Sequence, residues 1–399
     1  MNDSKPKSNR ILSIDIMRGL TLFLMLFVND LFEPGVPGWM VHAKANFDGM
    51  GLADWVFPGF LFMVGMSIPY AISSRMKSGE TKWKVFLHIL IRTASLLLIG
   101  VLMLNSERLN PELSGISKSL FAILMYIFIF LIWNKYPENS KLKKLFPGLK
   151  ILGILGLGTL AFIFKAGEAG HVTWFETGWW GILGLIGWGY LVAATASLFI
   201  GSKLWPTVVL WFTFIGINIL SQLGILGFLK FLNPVFGVIL SGNVPMIVLA
   251  GLVVSLILKQ SNFKPGKTAG IILLMGICSL AIGFFLRNWF IISKIHGTPS
   301  WGMICNGISM MVFALLFWMV DIQGKSKWAA IFKPAGQNSL TTYLAPDVIY
   351  FAIWGLSLPL FFYKQESSQL LAVCSSLAWA LAMVGFAALL SRINIRLKL

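Results

Sequence analysis

The chain is a succession of apolar runs, each close to the length of one bilayer crossing, separated by short polar and basic loops. A helix needs about 20 mostly apolar residues to cross the hydrocarbon core. By that measure spans fall at roughly 11–32, 52–74, 85–104, 115–134, 149–165, 178–200, 204–224, 238–258, 268–291, 300–322, 337–357 and 368–391. The fifth is short and glycine-rich, and the stretch 225–242 also reads as an interfacial segment. The expected fold is therefore all-α: a polytopic integral membrane helical bundle of about 10–12 transmembrane helices. Composition closes the alternatives, because 57% hydrophobic and 12% charged residues lie far from the roughly 25% charge of soluble domains. Cys278, Cys305 and Cys374 all sit in apolar runs, so no zinc or disulfide framework can be built from them and no metal is expected.

A formal net charge of +17 would suggest nucleic acid in a soluble protein, but the cations here occupy loops between spans. With the N-terminus inside, inner segments collect 22 lysines and arginines and outer segments 7, with Arg18, Arg92 and Lys118 left inside spans. That asymmetry is a topology signal rather than a ligand signal. It places the loops at 75–84, 135–148 and 259–267, and both termini, in the cytoplasm, with no nucleic-acid partner. The expected location is a bacterial inner (plasma) membrane, the lipid bilayer being the first partner and a homodimer a candidate assembly. Residues 1–10 read as a cytoplasmic tail and 11–399 as a single transmembrane domain, since no internal repeat is evident. The first span is too long for a signal h-region and lacks a small-residue cleavage site after it, so it is expected to stay in the mature protein.

In such a chain an ionisable or amide side chain at membrane depth is costly and marks a candidate site. Asp15 and Arg18 share a helix face and read either as a self-neutralising pair or as an anion site at the inner surface. At the other end of the same span come Asn29 and Asp30, then a loop with His42 and Asp48, then Asp54 at the start of the second span. Asn29 either caps the helix or offers its amide to a reacting group. Asp54 lies near a positive helix terminus, four residues before Pro58, and reads either as a helix N-terminal acid or as the carboxylate that orients His42. Arg287, Lys294, His296 and Ser300 form a polar, aromatic outer turn. Gly336–Tyr343 places amides and hydroxyls, Asn338 among them, in the first turns of a span. Asp347 follows one turn later with no evident partner, and His88 and His171 read as incidental. No G-x-x-x-x-G-K-[ST] motif occurs, which disfavours a nucleotide-driven pump.

These residues carry a resemblance. Arg10 to Gly19, Val28-Asn29, His42-Ala43, Gly49 through Pro58 and Phe60 to Gly65, followed by Lys294 with Thr298-Pro299-Ser300 and by Pro334 to Tyr343, are similar to the heparan-α-glucosaminide N-acetyltransferase family of membrane acetyltransferases. The motifs recur in order across most of the chain, while 105–270 shows no clear match. The resemblance implies His42 as the catalytic histidine, Asp54 as its carboxylate partner, Asn29 as donor to the acyl oxygen, and acetyl-CoA as the acyl donor. Seven residues separate His42 from Gly49, more than the family pattern, and the tryptophan expected between them is absent. No accessory domain is expected before Arg10, so heparan sulfate does not follow as the substrate.

The residue inventory fits the implied chemistry. An amine attacking a thioester needs a base, a donor for the developing oxyanion and a slot for an anionic nucleotide. His42, Asn29 and the inner basic groups meet these needs, either by direct transfer or through an acetyl-imidazole. Arg18, Asp15, Ser300 and Asn338 are the expected contacts for the coenzyme; Asp30, Asp48 and Lys294 are those for an acceptor, an amine or hydroxyl of a sugar or glycan. Since His42 counts as outside and acetyl-CoA is cytosolic, a polar tunnel between spans 1 and 2 and the C-terminal spans is required. The rival expectation is a transporter or flippase of a sugar-containing or anionic lipid.

Overall fold

The computed structural model describes residues 11–261, 263–359, 364 and 366–399; the expected 1–10 tail, with Lys5, Lys7 and Arg10, lies outside the described residues. Among the described residues twelve helices form the bundle: α1 (Leu12–Asp30), α2 (Leu52–Lys77), α3 (Lys82–Arg108), α4 (Lys118–Trp133), α5 (Phe146–Ile163), α6 (Ile182–Ile200), α7 (Leu204–Gln222), α8 (Asn243–Gln260), α9 (Pro265–Leu286), α10 (Pro299–Phe317), α11 (Ser339–Gly355) and α12 (Gln369–Arg392). Ten helical segments are long and apolar enough to cross a membrane. The two remaining helices, α4 and α11, have 16 and 17 residues and complete the up-and-down order. The stretch 225–242 divides into a 3₁₀ helix (Ile225–Leu232) and a short helix (Asn233–Leu240) ahead of α8.

Contacts between loops fix the two ends of the bundle. At the end where α1 begins, here the proximal face, Asp321 accepts from the backbone N–H groups of Leu12 and Ser13 at 2.8 and 3.0 Å, supplying from a distant segment the cap that α1 lacks locally. Lys135 N–H donates to the Arg396 carbonyl on the same face at 2.8 Å. At the distal face Gly49 N–H donates to the Ile292 carbonyl at 3.1 Å, Asn218 to the Gly297 carbonyl at 3.0 Å and Asn105 to the Glu176 carbonyl at 2.8 Å. The start of α1 and the residues after α12 thus share the proximal face. A two-stranded hairpin, Ala166–Glu168 against His171–Thr173, lies in a distal loop and carries His171 in the open.

Packing follows the same logic. Every residue of α8 from Val244 to Leu256 is buried, so this helix is apolar on all sides and runs through the middle of the bundle. The peripheral α5 leaves Phe162 86% exposed and Leu155 64% exposed, surface that suits hydrocarbon rather than water. Where α1 crosses the helical turn Lys333–Gln337, a Cβ on Gly19 would stand 2.0 Å from the Phe332 carbonyl oxygen, and one on Gly336 2.2 Å from that of Asp15. Two backbones therefore touch there, and glycine alone permits it. This crossing joins the first polar motif of the chain to the last.

Candidate active site

The proximal face opens into a cavity of about 660 Å³ walled by α1, α2, α3, α6, α11 and the last three residues. Its walls carry Arg18, Arg75, Arg92, His88 and Lys398, with Gln337 and Asn338 at the start of α11. Arg18 is held by three partners, the Gly336 carbonyl at 2.5 Å, Ser67 Oγ at 3.1 Å and Asp15 at 2.9 Å. The self-neutralising reading of the Asp15/Arg18 pair holds: Asp15 is buried against the guanidinium, which lines the cavity. Arg75 is bound to Glu80 at 3.0 and 3.1 Å and to His88 Nε2 at 2.7 Å. Arg92 is different. Its guanidinium lies 4.7 Å from the Tyr190 ring centroid, while its buried Nε has no hydrogen-bond partner among the described residues. A buried donor without a partner is expensive, and anionic oxygens entering the cavity would satisfy it.

At the distal face, the loop after α1 folds back over the start of α2. The Asp54 carboxylate, 1% exposed, takes three donors: His42 Nδ1 at 2.8 Å, the Ala43 N–H at 3.0 Å and the Gly51 N–H at 2.9 Å. Asp54 is thus both the helix N-terminal acid and the partner of His42. The loop can come this close because residue 51 is glycine; a Cβ there would lie 2.0 Å from the Val41 carbonyl oxygen. An imidazole whose Nδ1–H donates to a carboxylate presents Nε2 as its basic atom, and the His42 side chain is 43% exposed at the distal side.

A second loop completes this cluster. Asp48 accepts from the Ile292 N–H at 2.8 Å and from Arg287 Nε at 2.8 Å, and these two contacts, backbone first, hold its carboxyl below the ordinary carboxylate range. Ser293 Oγ donates to the Ala45 carbonyl at 2.8 Å. The clamp delivers Lys294, whose Nζ stands 3.2 Å from His42 Nδ1 and 3.3 Å from Nε2. The Nδ1–H bond and the Nε2 lone pair diverge, so an atom nearly equidistant from both nitrogens lies over the ring rather than along either direction. Burial pushes the Lys294 ammonium below its ordinary value, and the Asp54 carboxylate opposes that shift.

A third space, of about 700 Å³, lies between α1, α3, α4, α6 and α11. Asn29, Glu107, Lys118, Tyr126, Trp180, Asp347, Tyr350 and Trp354 are in its wall. Ile182, Leu183 and Tyr343 line both this cavity and the proximal one, so the two are stacked, with that side-chain layer between them.

The sequence-derived candidates divide accordingly. His42, Asp54 and Lys294 meet at the distal face. Asp48 has both carboxylate oxygens engaged by the neighbouring loop. Arg18 and Asn338 line the proximal cavity, with Asp15 behind Arg18. Asn29 lies in the wall of the distal cavity, and no hydrogen bond joins it to His42 among the described residues. Asp30 is 1% exposed and bound by Tyr350 Oη at 2.6 Å and Lys364 Nζ at 3.3 Å. Ser300 is fully buried, donates to the Ile291 carbonyl at 2.8 Å and lines neither cavity. Sequence reasoning passed over His88, Arg75, Lys398 and Glu107 as site residues. Only Arg92, an arginine inside a span, carried a signal that could have found it.

Comparison with known proteins agrees with the motifs. Residues 10–221 match the family described as Domain of unknown function (DUF5009), which is more than half of the chain, and the chain belongs to that family. It is similar to the heparan-alpha-glucosaminide N-acetyltransferase of Mus musculus, 30% identical over 150 residues, which is 35% of this chain and 22% of that protein. It is also similar to the heparan-alpha-glucosaminide N-acetyltransferase of Homo sapiens, 36% identical over 96 residues, 24% of this chain and 14% of that protein. The matched stretches span well under two thirds of either relative's length.

Proposed function

We propose that this DUF5009-family chain is a transmembrane acetyltransferase, taking acetyl from cytosolic acetyl-CoA and delivering it to an amine of a sugar at the opposite face of the membrane. In this reading the proximal face is cytoplasmic, as the excess of lysine and arginine in its loops argues. The reading rests on the partial likeness to two proteins named as N-acetyltransferases, and one observation carries it: the His42–Asp54 pair, 2.8 Å apart, with a part-exposed imidazole at one end of a bundle whose other end holds a cationic cavity.

The residues divide the work as follows. Arg92, Arg75, His88 and Lys398 suit the phosphates of the coenzyme, since guanidinium and ammonium groups bind such oxygens by charge-assisted hydrogen bonds. Arg18, already triply held, shapes that wall. The acyl arm reaches along α1 past Tyr343 toward the distal side. There the amine nitrogen attacks the thioester carbonyl; the C–N bond forms, the C–S bond breaks and His42 Nε2 takes the amine proton. The His42 imidazolium then gives that proton to the leaving thiolate, which departs as the free thiol. Asp54 holds the imidazole in the required tautomer, and Asn29 or Lys294 donates to the developing oxyanion.

Purified protein in detergent, given radiolabelled acetyl-CoA and glucosamine, should form labelled N-acetylglucosamine, and His42→Ala should not at a comparable rate. Movement of labelled sugar across proteoliposomes without acetyl-CoA, and no acetyl transfer, would instead indicate a carrier.

A further inference from the structure

Asp347 is an ionisable group in the bundle that the acetyl-transfer reading leaves without work. It sits in α11 one turn beyond Tyr343, in the wall of the 700 Å³ distal cavity. Tyr126 Oη donates to its Oδ2 at 2.5 Å, and its other oxygen has no hydrogen-bond partner among the described residues. A carboxylate among membrane-spanning helices is costly and is retained where it meets a ligand or a counter-charge. No cation among the described residues is bonded to it. Glu107 adds a second carboxylate to the same wall, against one cation, the exposed Lys118. Trp180, Tyr350 and Trp354 add aromatic surface to a wall that is otherwise largely apolar, and the faces of such rings attract an ammonium group.

We propose that this cavity captures the acceptor as an ammonium, with the free oxygen of Asp347 as its counter-ion and the tryptophan and tyrosine faces packing the sugar that carries it. The proposal rests on the acetyl-transfer reading for the fate of the amine; the capture itself makes and breaks no bond, and the ammonium gives up one proton to water at the distal side before its nitrogen, then neutral, attacks. It assigns a preference: a sugar that offers only hydroxyls leaves the Asp347 charge uncompensated, and a site built around a charged contact rejects the analogue lacking it. Amines are thereby selected over alcohols, N-acetylation over O-acetylation.

Trp180 and Trp354 make binding visible without any transfer. Protein in nanodiscs, with no acetyl-CoA present, is titrated with glucosamine, glucose and N-acetylglucosamine while tryptophan fluorescence is followed. Saturable quenching by glucosamine is expected, with the two neutral sugars binding far more weakly, and Trp180→Phe should remove part of the signal. Asp347→Asn should weaken glucosamine about 10- to 100-fold, the worth of one charge-assisted contact. If that variant does not fold, Glu107→Gln at the exposed edge of the cavity carries the test, with the same sign and a smaller effect. Equal binding of glucose and glucosamine, or unchanged affinity in the folded carboxamide variant, would overturn the proposal. Glucosamine bound through Asp347 with no acetyl transfer would sink the acetyltransferase reading and leave this site standing. Normal transfer with an unchanged amine KM in Asp347→Asn would do the reverse.

Discussion

Arg18 and Asn29 stand eleven residues apart on one stripe of α1, and between them Leu22 and Met25 continue the same face into the cavity below. The spacing 18, 22, 25, 29 is that of a single helix side. At ~1.5 Å per residue it covers about 17 Å along the axis, enough to connect the cationic proximal cavity with the distal one. A donor held at one end and a reacting carbonyl at the other would lie along this side of α1.

That arrangement separates two arginines that composition treats alike. Arg18 is bound to Gly336, Ser67 and Asp15, so Arg18→Met should lower thermal stability as well as activity. Arg92 has no such bond at Nε among the described residues. Arg92→Met should keep the melting temperature and raise the KM for acetyl-CoA about 10-fold or more, the loss of one charged contact, with the KM for the acceptor unchanged. Equal changes in both KM values would argue against phosphate binding at this wall.

His42→Ala should lower turnover by about 10²- to 10⁴-fold, the usual worth of a general base, with coenzyme binding preserved. Asp54→Asn should lose turnover too, because the ring is no longer held with Nε2 basic. It should also cost stability of about 1 kcal/mol through the weakened cap of α2. Melting curves beside kinetics distinguish the two, since His42 has no comparable structural duty.

Lys294 offers a signed pH test. Its amine is more easily deprotonated in the fold than in the unfolded chain, so the folded state binds fewer protons. Between the folded value and the ordinary 10.5, stability therefore rises with pH. Wild-type stability should climb as pH rises toward 10.5 more steeply than that of Lys294→Gln, measured by denaturant melts at a series of pH values. Parallel slopes would contradict the burial of this amine.

Asp48 behaves in the opposite sense. Its carboxyl is held low by Ile292 N–H and Arg287, so its contribution is present above the ordinary 3.8 and fades as pH falls through the folded value. Because the pair is largely exposed, the stability change on Asp48→Ala should be small. Turnover should fall further than stability does, because the clamp that carries Lys294 to His42 is released. A turnover unchanged from wild type would show that the clamp positions nothing.

The helical bundle was legible because hydrophobic length is a local property, and the break ahead of α8 was marked by Gly224, Asn233 and Pro234 interrupting the apolar run. His42 with Asp54 was legible for the same reason: twelve residues apart, they meet across one turn-back of the chain. The Asp15/Arg18 pair needed only helical spacing. What the sequence could not show were neighbours brought together by packing. Lys294 reaches His42 from 252 residues away, Tyr126 reaches Asp347 from 221, and Gly336 meets Asp15 through a backbone contact that glycine alone hints at. Asp347 seemed partnerless because its partner is on another helix. Asp48 and Ser300 resembled ligand contacts because a polar residue in a loop or at a helix start gives no sign of which backbone groups it will satisfy.

The central claim is that an acetyl group enters at one face and leaves on an amine at the other, and a sided assay tests it directly. The protein is reconstituted in sealed vesicles and orientation is fixed by impermeant labelling of cysteines placed at Lys44 and Lys141. Radiolabelled acetyl-CoA is supplied only to the Lys141 side and glucosamine only to the Lys44 side. The account predicts labelled N-acetylglucosamine on the Lys44 side, free coenzyme on the other, and loss of the product in His42→Ala. Product formed only when both substrates share one side, or formed equally well by His42→Ala, would contradict it.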